Sequence, residues 1–162
     1  MEAIDRSAML GMFGGAAVLA LFAGAAPVWA APAPAAFTMW HDPGCGCCLE
    51  WARRIEAAFG RRLTIIESRD MGAVKRSHGV PADLQSCHTA SIGGYAVEGH
   101  VPPADLRRLI ASRNRAIRGL AVPGMPAGSP GMDVGHSMRH SYSVYAFGKG
   151  RPSVFASHNR AR

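Results

Sequence analysis

Hydrophobic residues along the chain fall into short runs and spaced patterns divided by turn-forming residues, and each change of period marks an element. Ala36 to Trp40 is a short apolar run that reads as a buried strand, closed by the turn signal His41-Asp42-Pro43-Gly44. From Cys48 onward, Leu49, Ala52, Ile55, Ala58 and Phe59 recur at spacings of three and four, which predicts a helix ending at Gly60. Leu63 to Glu67 is a second β-rich run, and Met71 to His78 reads as a short helix that stops at Gly79, ahead of Pro81. Thr89 to Ile92 and Tyr95 to Val97 flank Gly93-Gly94, the two-residue spacing of a tight hairpin. Pro102 and Pro103 open a further helix with Leu106, Leu109 and Ile110 on its core face. The order β-α-β, short helix, β-hairpin, α predicts an α/β, thioredoxin-like fold with the first cysteines between the first strand and the first helix.

Past this core, Gly119 to Met132 carries three Pro and four Gly and reads as a long irregular loop, a length that in compact domains usually goes with function. Tyr142 to Phe147 and Ser153 to Ala156, around Gly148-Lys149-Gly150, predict a terminal hairpin, and His158 to Arg162 a frayed basic tail. His136, Met138 and His140 have no spacing that would place them on one face and read as a solvated loop. Ahead of the core, Met9 to Ala26 is apolar and is followed by the small-x-small pattern Val28-Trp29-Ala30. Residues 1–30 therefore read as a cleaved signal peptide, with an uncleaved membrane anchor as the alternative because Arg6 is the only base before the apolar run. Residues 31–35, with Pro32 and Pro34, form a stiff spacer, residues 36–157 the domain and residues 158–162 the tail. Export to the periplasm follows from this reading.

A chain of 162 residues, 48% hydrophobic and 18% charged, holds one domain of ordinary size and excludes a large multidomain enzyme, a collagen-like chain and wholesale disorder. Losing residues 1–30 raises the formal net charge from +7 to +8, because Glu2 and Asp5 leave with Arg6. The arginines come as pairs on helix surfaces (Arg53-Arg54, Arg61-Arg62, Arg107-Arg108) without interleaved aromatics, so they read as a solvated basic face and not as a nucleic-acid site.

Four cysteines are too few for a disulfide scaffold, and three of them crowd into Cys45-Gly46-Cys47-Cys48. Cys45 and Cys48 form a Cys-x-x-Cys pair suited to reversible disulfide chemistry, while three thiolates on one loop suit a soft ion such as Cu(I). The amino end of a helix favours anionic sulfur, which is both the nucleophile and the ligand. In a thioredoxin-like order, Cys87-His88 faces this helix end and adds a fourth sulfur and an imidazole. Met125 and Met132, on the Gly/Pro-rich loop, are either soft thioether ligands or gap-fillers. His41, four residues before Cys45, reads as an exposed turn residue and His100 as a helix-start residue satisfying backbone groups, with metal ligation as the alternative for each.

Cys45-Gly-Cys-Cys-Leu-Glu-Trp51, the stretch from Gly79-Val-Pro81 through Leu84-Gln-Ser-Cys-His-Thr-Ala90, Gly94-Tyr95 through Glu98-Gly-His-Val-Pro102, and Gly119-Leu-Ala-Val-Pro-Gly-Met-Pro126 with Gly128-Ser-Pro-Gly-Met132 stand in that order. From about Phe37 to Phe155 the chain resembles the CopG-like family of exported metal-binding proteins, long described as a domain of unknown function. The resemblance implies a thioredoxin-like fold, a link to bacterial copper resistance, Cu(I) held through Cys45, Cys47, Cys48 and Cys87, and a methionine loop at Met125 and Met132. His41-Asp42 departs from the Lys-Ser or Lys-Thr type of pair expected there. Three readings follow: a periplasmic Cu(I)-binding protein with those six residues and His88, exchanging copper with other periplasmic copper-handling proteins; a thiol-disulfide or copper-linked oxidoreductase in which Cys45 attacks and Cys48 resolves; and a structural module with two disulfides.

Overall fold

The computed structural model describes residues 37–133 and 139–159. The signal-peptide and spacer readings, His136 and Met138, and the last three residues of the tail lie outside them. The elements run β1 (Phe37–His41), α1 (Gly46–Phe59), β2 (Thr64–Glu67), α2 (Met71–Ser77), a 3-10 turn (Ala82–Leu84), β3 (His88–Ile92), β4 (Tyr95–Glu98), α3 (Pro103–Ser112), β5 (Ile117–Ala121), β6 (Tyr142–Gly148) and β7 (Ser153–His158). The seven strands form one sheet in the order β2-β1-β3-β4-β5-β6-β7. β1 runs parallel to β2 and antiparallel to β3, β3 and β4 form the Gly93-Gly94 hairpin, and β4 and β5 are parallel around α3. The α/β, thioredoxin-like order predicted from the patterning is present through α3, and the terminal hairpin is β6 and β7.

Local chemistry accounts for the boundaries. Gly60 closes α1 at φ +61, a left-handed conformation that glycine takes without a Cβ penalty, and its N–H returns to Glu56 O. Asp70 caps α2 by accepting from Ala73 N at 2.8 Å. The buried stripe of α1 is Cys48, Trp51, Ala52 and Ile55, packed on Met39, Ala90, Ile92 and Val97 of the sheet and on Leu106 and Leu109 of α3. Leu49, Ala58 and Phe59, expected on that stripe, are half-buried at its margin, because Trp51 is the larger anchor and sets the rotation of the helix.

Two expectations are corrected. Gly119 to Ala121 is not loop: it belongs to β5, where Leu120, Ala121 and the following Val122 are fully buried. The glycine that hides this strand in the sequence is there for space, since a Cβ on Gly119 would fall on the Ala96 carbonyl and 2.6 Å from the Phe147 ring. Gly119→Ala should therefore destabilise the fold by about 1–3 kcal/mol in urea unfolding, the cost of overpacking against a backbone that cannot give way; an unchanged midpoint would contradict this. The second correction is His158, which is the last residue of β7 and not frayed tail. Its Nε2 lies 2.6 Å from Asp105 Oδ2 on α3 and its ring stacks on Tyr142, and these contacts carry the strand one residue past the predicted end of the domain at residue 157.

The paired arginines shield aromatic rings: Arg61 lies over Phe37, Arg107 over Phe59 and Arg108 over Phe155, with guanidinium carbons 4.2–5.5 Å from the ring centroids. Arg54 instead reaches from α1 to Asp133 at 2.7 Å, tying the Gly/Pro-rich loop to the helix that carries the cysteines. No helix among the described residues is long and apolar enough to cross a membrane.

Candidate metal centre

The register of two strand pairs assembles the site. β1 and β3 place His41 opposite His88, so the residue before β3, Cys87, comes beside the Asp42–Gly44 turn that leads into Cys45. The turn is closed by Cys45 N–H donating to Asp42 O at 3.2 Å, and Cys45 then caps α1 with no side-chain acceptor for its first N–H groups. Cys48 faces the core and is fully buried, whereas Cys45 and Cys47 are half-buried at the helix end. On the other side, β3 and β4 pair Thr89 with Glu98, and Gly99 N–H donates to His88 O at 2.9 Å, which brings His100 opposite Cys87.

Two groups of ligand atoms result, each within 4.8 Å of one another: the sulfurs of Cys45, Cys47, Cys48 and Cys87, and Cys87 with His88 and His100. Cys87 belongs to both. Its Sγ is 3.1 Å from His100 Nε2 and 3.3 Å from His88 Nδ1. The His100 Nδ1–H donates to Pro130 O at 2.8 Å, which leaves Nε2 as an acceptor for the Cys87 thiol. Cys45 and Cys48 are joined in a disulfide with a Cα–Cα separation of 5.4 Å, while Cys47 and Cys87 carry free thiols. Cys47 Sγ sits 3.6 Å from Cys45 Sγ.

The electrostatics keep this corner neutral. Burial, and then the neighbouring Cys47, push the Cys87 thiol up to about 12. Burial holds His88 well below its ordinary value, with His100 and Lys75 acting in the same direction, and burial also lowers His100. Both imidazoles are thus neutral near pH 7, the form in which imidazole ligates metal. An unfolded histidine takes its proton near pH 6.5, so below that pH the unfolded chain binds protons that the fold refuses. Melting of the metal-free protein should accordingly weaken steadily from pH 7.5 to 5.5. Glu98, whose carboxyl burial raises despite its bond to Lys75, acts in the opposite sense from its ordinary 4.5 upward, one group against the two histidines. A melting temperature flat across the window would contradict the buried-neutral assignment.

The Gly/Pro-rich loop closes the site. Gly131, at φ +87, lies where a Cβ would come 2.9 Å from Cys47 O, 3.0 Å from Trp51 N and 3.3 Å from His100 Nδ1, so only glycine lets the loop seat on the start of α1. Ser86 Oγ donates to Gly124 O, fastening the other end of the loop beside Cys87. Met125 follows Gly124 and is 53% exposed; Met132 follows Gly131 and is half-buried. The structure therefore brings together the four cysteines and His88, and sets Met125 on the outer surface of the loop.

His41 is not an exposed turn residue as its position suggested. It is buried at the end of β1, with Nδ1 2.7 Å from Asp42 O, because β3 pairs across it. His100, read as serving the start of the next helix, instead faces Cys87. The signal for it was available: continuing the hairpin register outward from the Gly93-Gly94 turn sets His100 opposite Cys87.

Two solved structures of a copper resistance protein copG, its forms 2 and 1, superpose with TM-scores of 0.70 and 0.69 at 42% and 43% sequence identity. The alignments cover 78% and 77% of this chain and 99% and 98% of those chains. The chain belongs to the CopG family. Residues 84–132 also match the family described as a protein of unknown function, DUF411, a span that holds Cys87, His88, His100, Met125 and Met132 but not the first three cysteines. No curated protein sequence matches the chain. In this CopG-family member the donor set itself fits a soft ion: four sulfurs, two imidazoles held neutral, and a buried His88 Nε2 without a hydrogen-bond partner among the described residues.

Proposed function

We propose that this chain is an exported, periplasmic protein that takes up copper as Cu(I) through Cys45, Cys47, Cys48 and Cys87, with His88 and the thioethers of Met125 and Met132 as further soft or borderline donors, and that it passes the metal to other periplasmic copper-handling proteins. The observation that carries the reading is the four-sulfur cluster, whose atoms all lie within 4.8 Å of one another. A structural disulfide needs two cysteines; this arrangement holds two more thiols against one disulfide. The copper resistance proteins that the chain resembles supply the choice of copper among soft ions.

With the Cys45–Cys48 bond intact, two sulfurs are available as thiols. Two electrons and two protons convert that bond into two thiols, and all four sulfurs then become available to metal as their protons leave. Neutral His100, oriented by Pro130 O, already accepts from the Cys87 thiol. The helix end supplies unpaired N–H groups beside the cluster, and the loop seated through Gly131 restricts access from the side of α1.

The test is an anaerobic Cu(I) titration of the reduced mature domain against a competing chelator. The proposal expects one or more coppers bound tightly, with uptake collapsing when Cys45, Cys47 and Cys48 are all replaced by Ser. A second reading, a thiol-disulfide or copper-linked oxidoreductase, is favoured by one observation: the disulfide joins Cys45 and Cys48 at the amino end of α1. Copper left with a moderate chelator, together with rapid exchange of those thiols with disulfides, would replace the first reading by the second.

A further inference from the structure

Behind the sulfur cluster the interior holds a charged pair, Lys75 and Glu98, with side chains 8% and 0% exposed. A buried ion pair recovers its desolvation cost only with good geometry and further hydrogen bonds, so where its remaining bonds go is informative. Lys75 Nζ donates to Glu98 Oε1 and to Thr89 Oγ1 at 3.3 Å. Glu98 Oε1 also accepts from Ser86 N–H at 2.6 Å, and Oε2 from the Thr89 hydroxyl at 2.7 Å. Ser86 and Thr89 are the residues on either side of Cys87-His88. The next two residues of the same strand end continue the pattern. Gly99 donates to His88 O and, at φ +68, admits Ser86 where a Cβ would stand 2.6 Å from Ser86 Cβ and from Val122 O. His100 then meets Cys87 itself.

We infer that Glu98, braced by Lys75, is a positioning residue for Cys87: its carboxylate holds Ser86 and Thr89 from behind so that the Cys87 sulfur sits where the four-sulfur group and the Cys87-His88-His100 group meet. The consequence for copper rests on the proposed function; the placement of the sulfur does not. A carboxylate is suited to the task because both its oxygens only accept, and three donors converge on them from three directions. Glutamine keeps the volume but offers one oxygen and a donating amide, so one of the three bonds must reverse or be lost.

The experiment compares Glu98→Gln with wild type in two measurements. The first is the alkylation rate of Cys87 by a maleimide, read by mass spectrometry in the metal-free, disulfide-intact protein carrying Cys47→Ser, well below the melting transition. The second is Cu(I) affinity of the reduced protein by chelator competition, in Glu98→Gln, Cys87→Ser and the double variant. The inference expects Cys87 alkylation to rise about tenfold or more, and Cu(I) affinity to fall in Glu98→Gln but not further when Cys87 is already Ser, since residues acting as one unit are non-additive. An unchanged alkylation rate in a folded Glu98→Gln protein overturns it, as does a copper loss that carries undiminished into the Cys87→Ser background. Should Glu98→Gln fail to fold, Thr89→Val removes a single tether and is judged by the same two outcomes. If wild type takes up no Cu(I), the proposed function falls, and the alkylation rate alone still decides the positioning role.

Discussion

Cys87→Ser should lower Cu(I) affinity of the reduced domain by about two orders of magnitude or more, a larger loss than Cys47→Ser. Changing a residue that merely hydrogen-bonds to a metal ligand already costs about 10–100-fold, and here a soft sulfur donor is exchanged for a hard hydroxyl. Cys87 is also the sulfur common to both ligand groups, so its loss divides the centre instead of trimming one edge. A further signature accompanies the affinity. The Cys87 thiol, pushed up to about 12 by burial, holds its proton at neutral pH, and copper must displace it. Each proton displaced makes apparent affinity rise about tenfold per pH unit, so the pH slope should fall by one proton in Cys87→Ser. Chelator competition at pH 6.5, 7.5 and 8.5 reads both quantities. Equal losses in the two variants would overturn the special place given to Cys87, and an unchanged affinity and slope in Cys87→Ser would remove it from the centre.

The largest expected effect on stability is at Trp51. Its side chain is fully buried, its ring lies 4.4 Å from that of His88, and its Nε1–H donates to Val101 O at 2.9 Å. One residue thus joins the cysteine helix to β3 and to the segment entering α3. Trp51→Ala should cost about 3–5 kcal/mol from lost burial and cavity, with about 1–3 kcal/mol more for the orphaned Val101 carbonyl. Trp51→Phe, which keeps most of the ring but not the donor, should cost about 1–3 kcal/mol. Urea unfolding of the metal-free protein at pH 7.5 measures both, and a Trp51→Ala loss under 1 kcal/mol would show that the helix is anchored elsewhere. Because the ring lies against His88, the alanine variant should also weaken copper uptake more than its stability alone accounts for.

Trp51 marks where reading the chain stops short. Periodicity located α1 and its end at Gly60, since a three- and four-residue spacing and a left-handed glycine are local facts. It placed Ala52 and Ile55 correctly on the buried face but left out Trp51 and put Leu49, Ala58 and Phe59 there, because the rotation of a helix is decided by which side chain the sheet can accommodate, and Trp51 takes that place beside His88. β5 was lost for a related reason. Gly119 looks like a loop residue until the Ala96 carbonyl and the Phe147 ring are in place on either side of it. His100 was legible by counting register outward from the hairpin already predicted, whereas His41 hangs on the β1–β3 pairing, which no local pattern gives; the burial and partners of both depend on which strand lies next to which.

The chain by itself determined the thioredoxin-like order of elements, the placement of three cysteines at the start of α1, the approach of Cys87 to them, and the two-strand ending. These follow from period, turn chemistry and spacing, which act over a few residues. Tertiary structure alone decided which two cysteines share the disulfide, that Cys87 joins two ligand groups, that His100 is buried against it with Pro130 O as its other partner, and that Lys75 and Glu98 brace it from behind. Apart from the Cys45–Cys48 bond, which spans three positions, those contacts join residues 12 to 42 positions apart, and they exist only because strand register and side-chain packing bring distant segments within hydrogen-bond range.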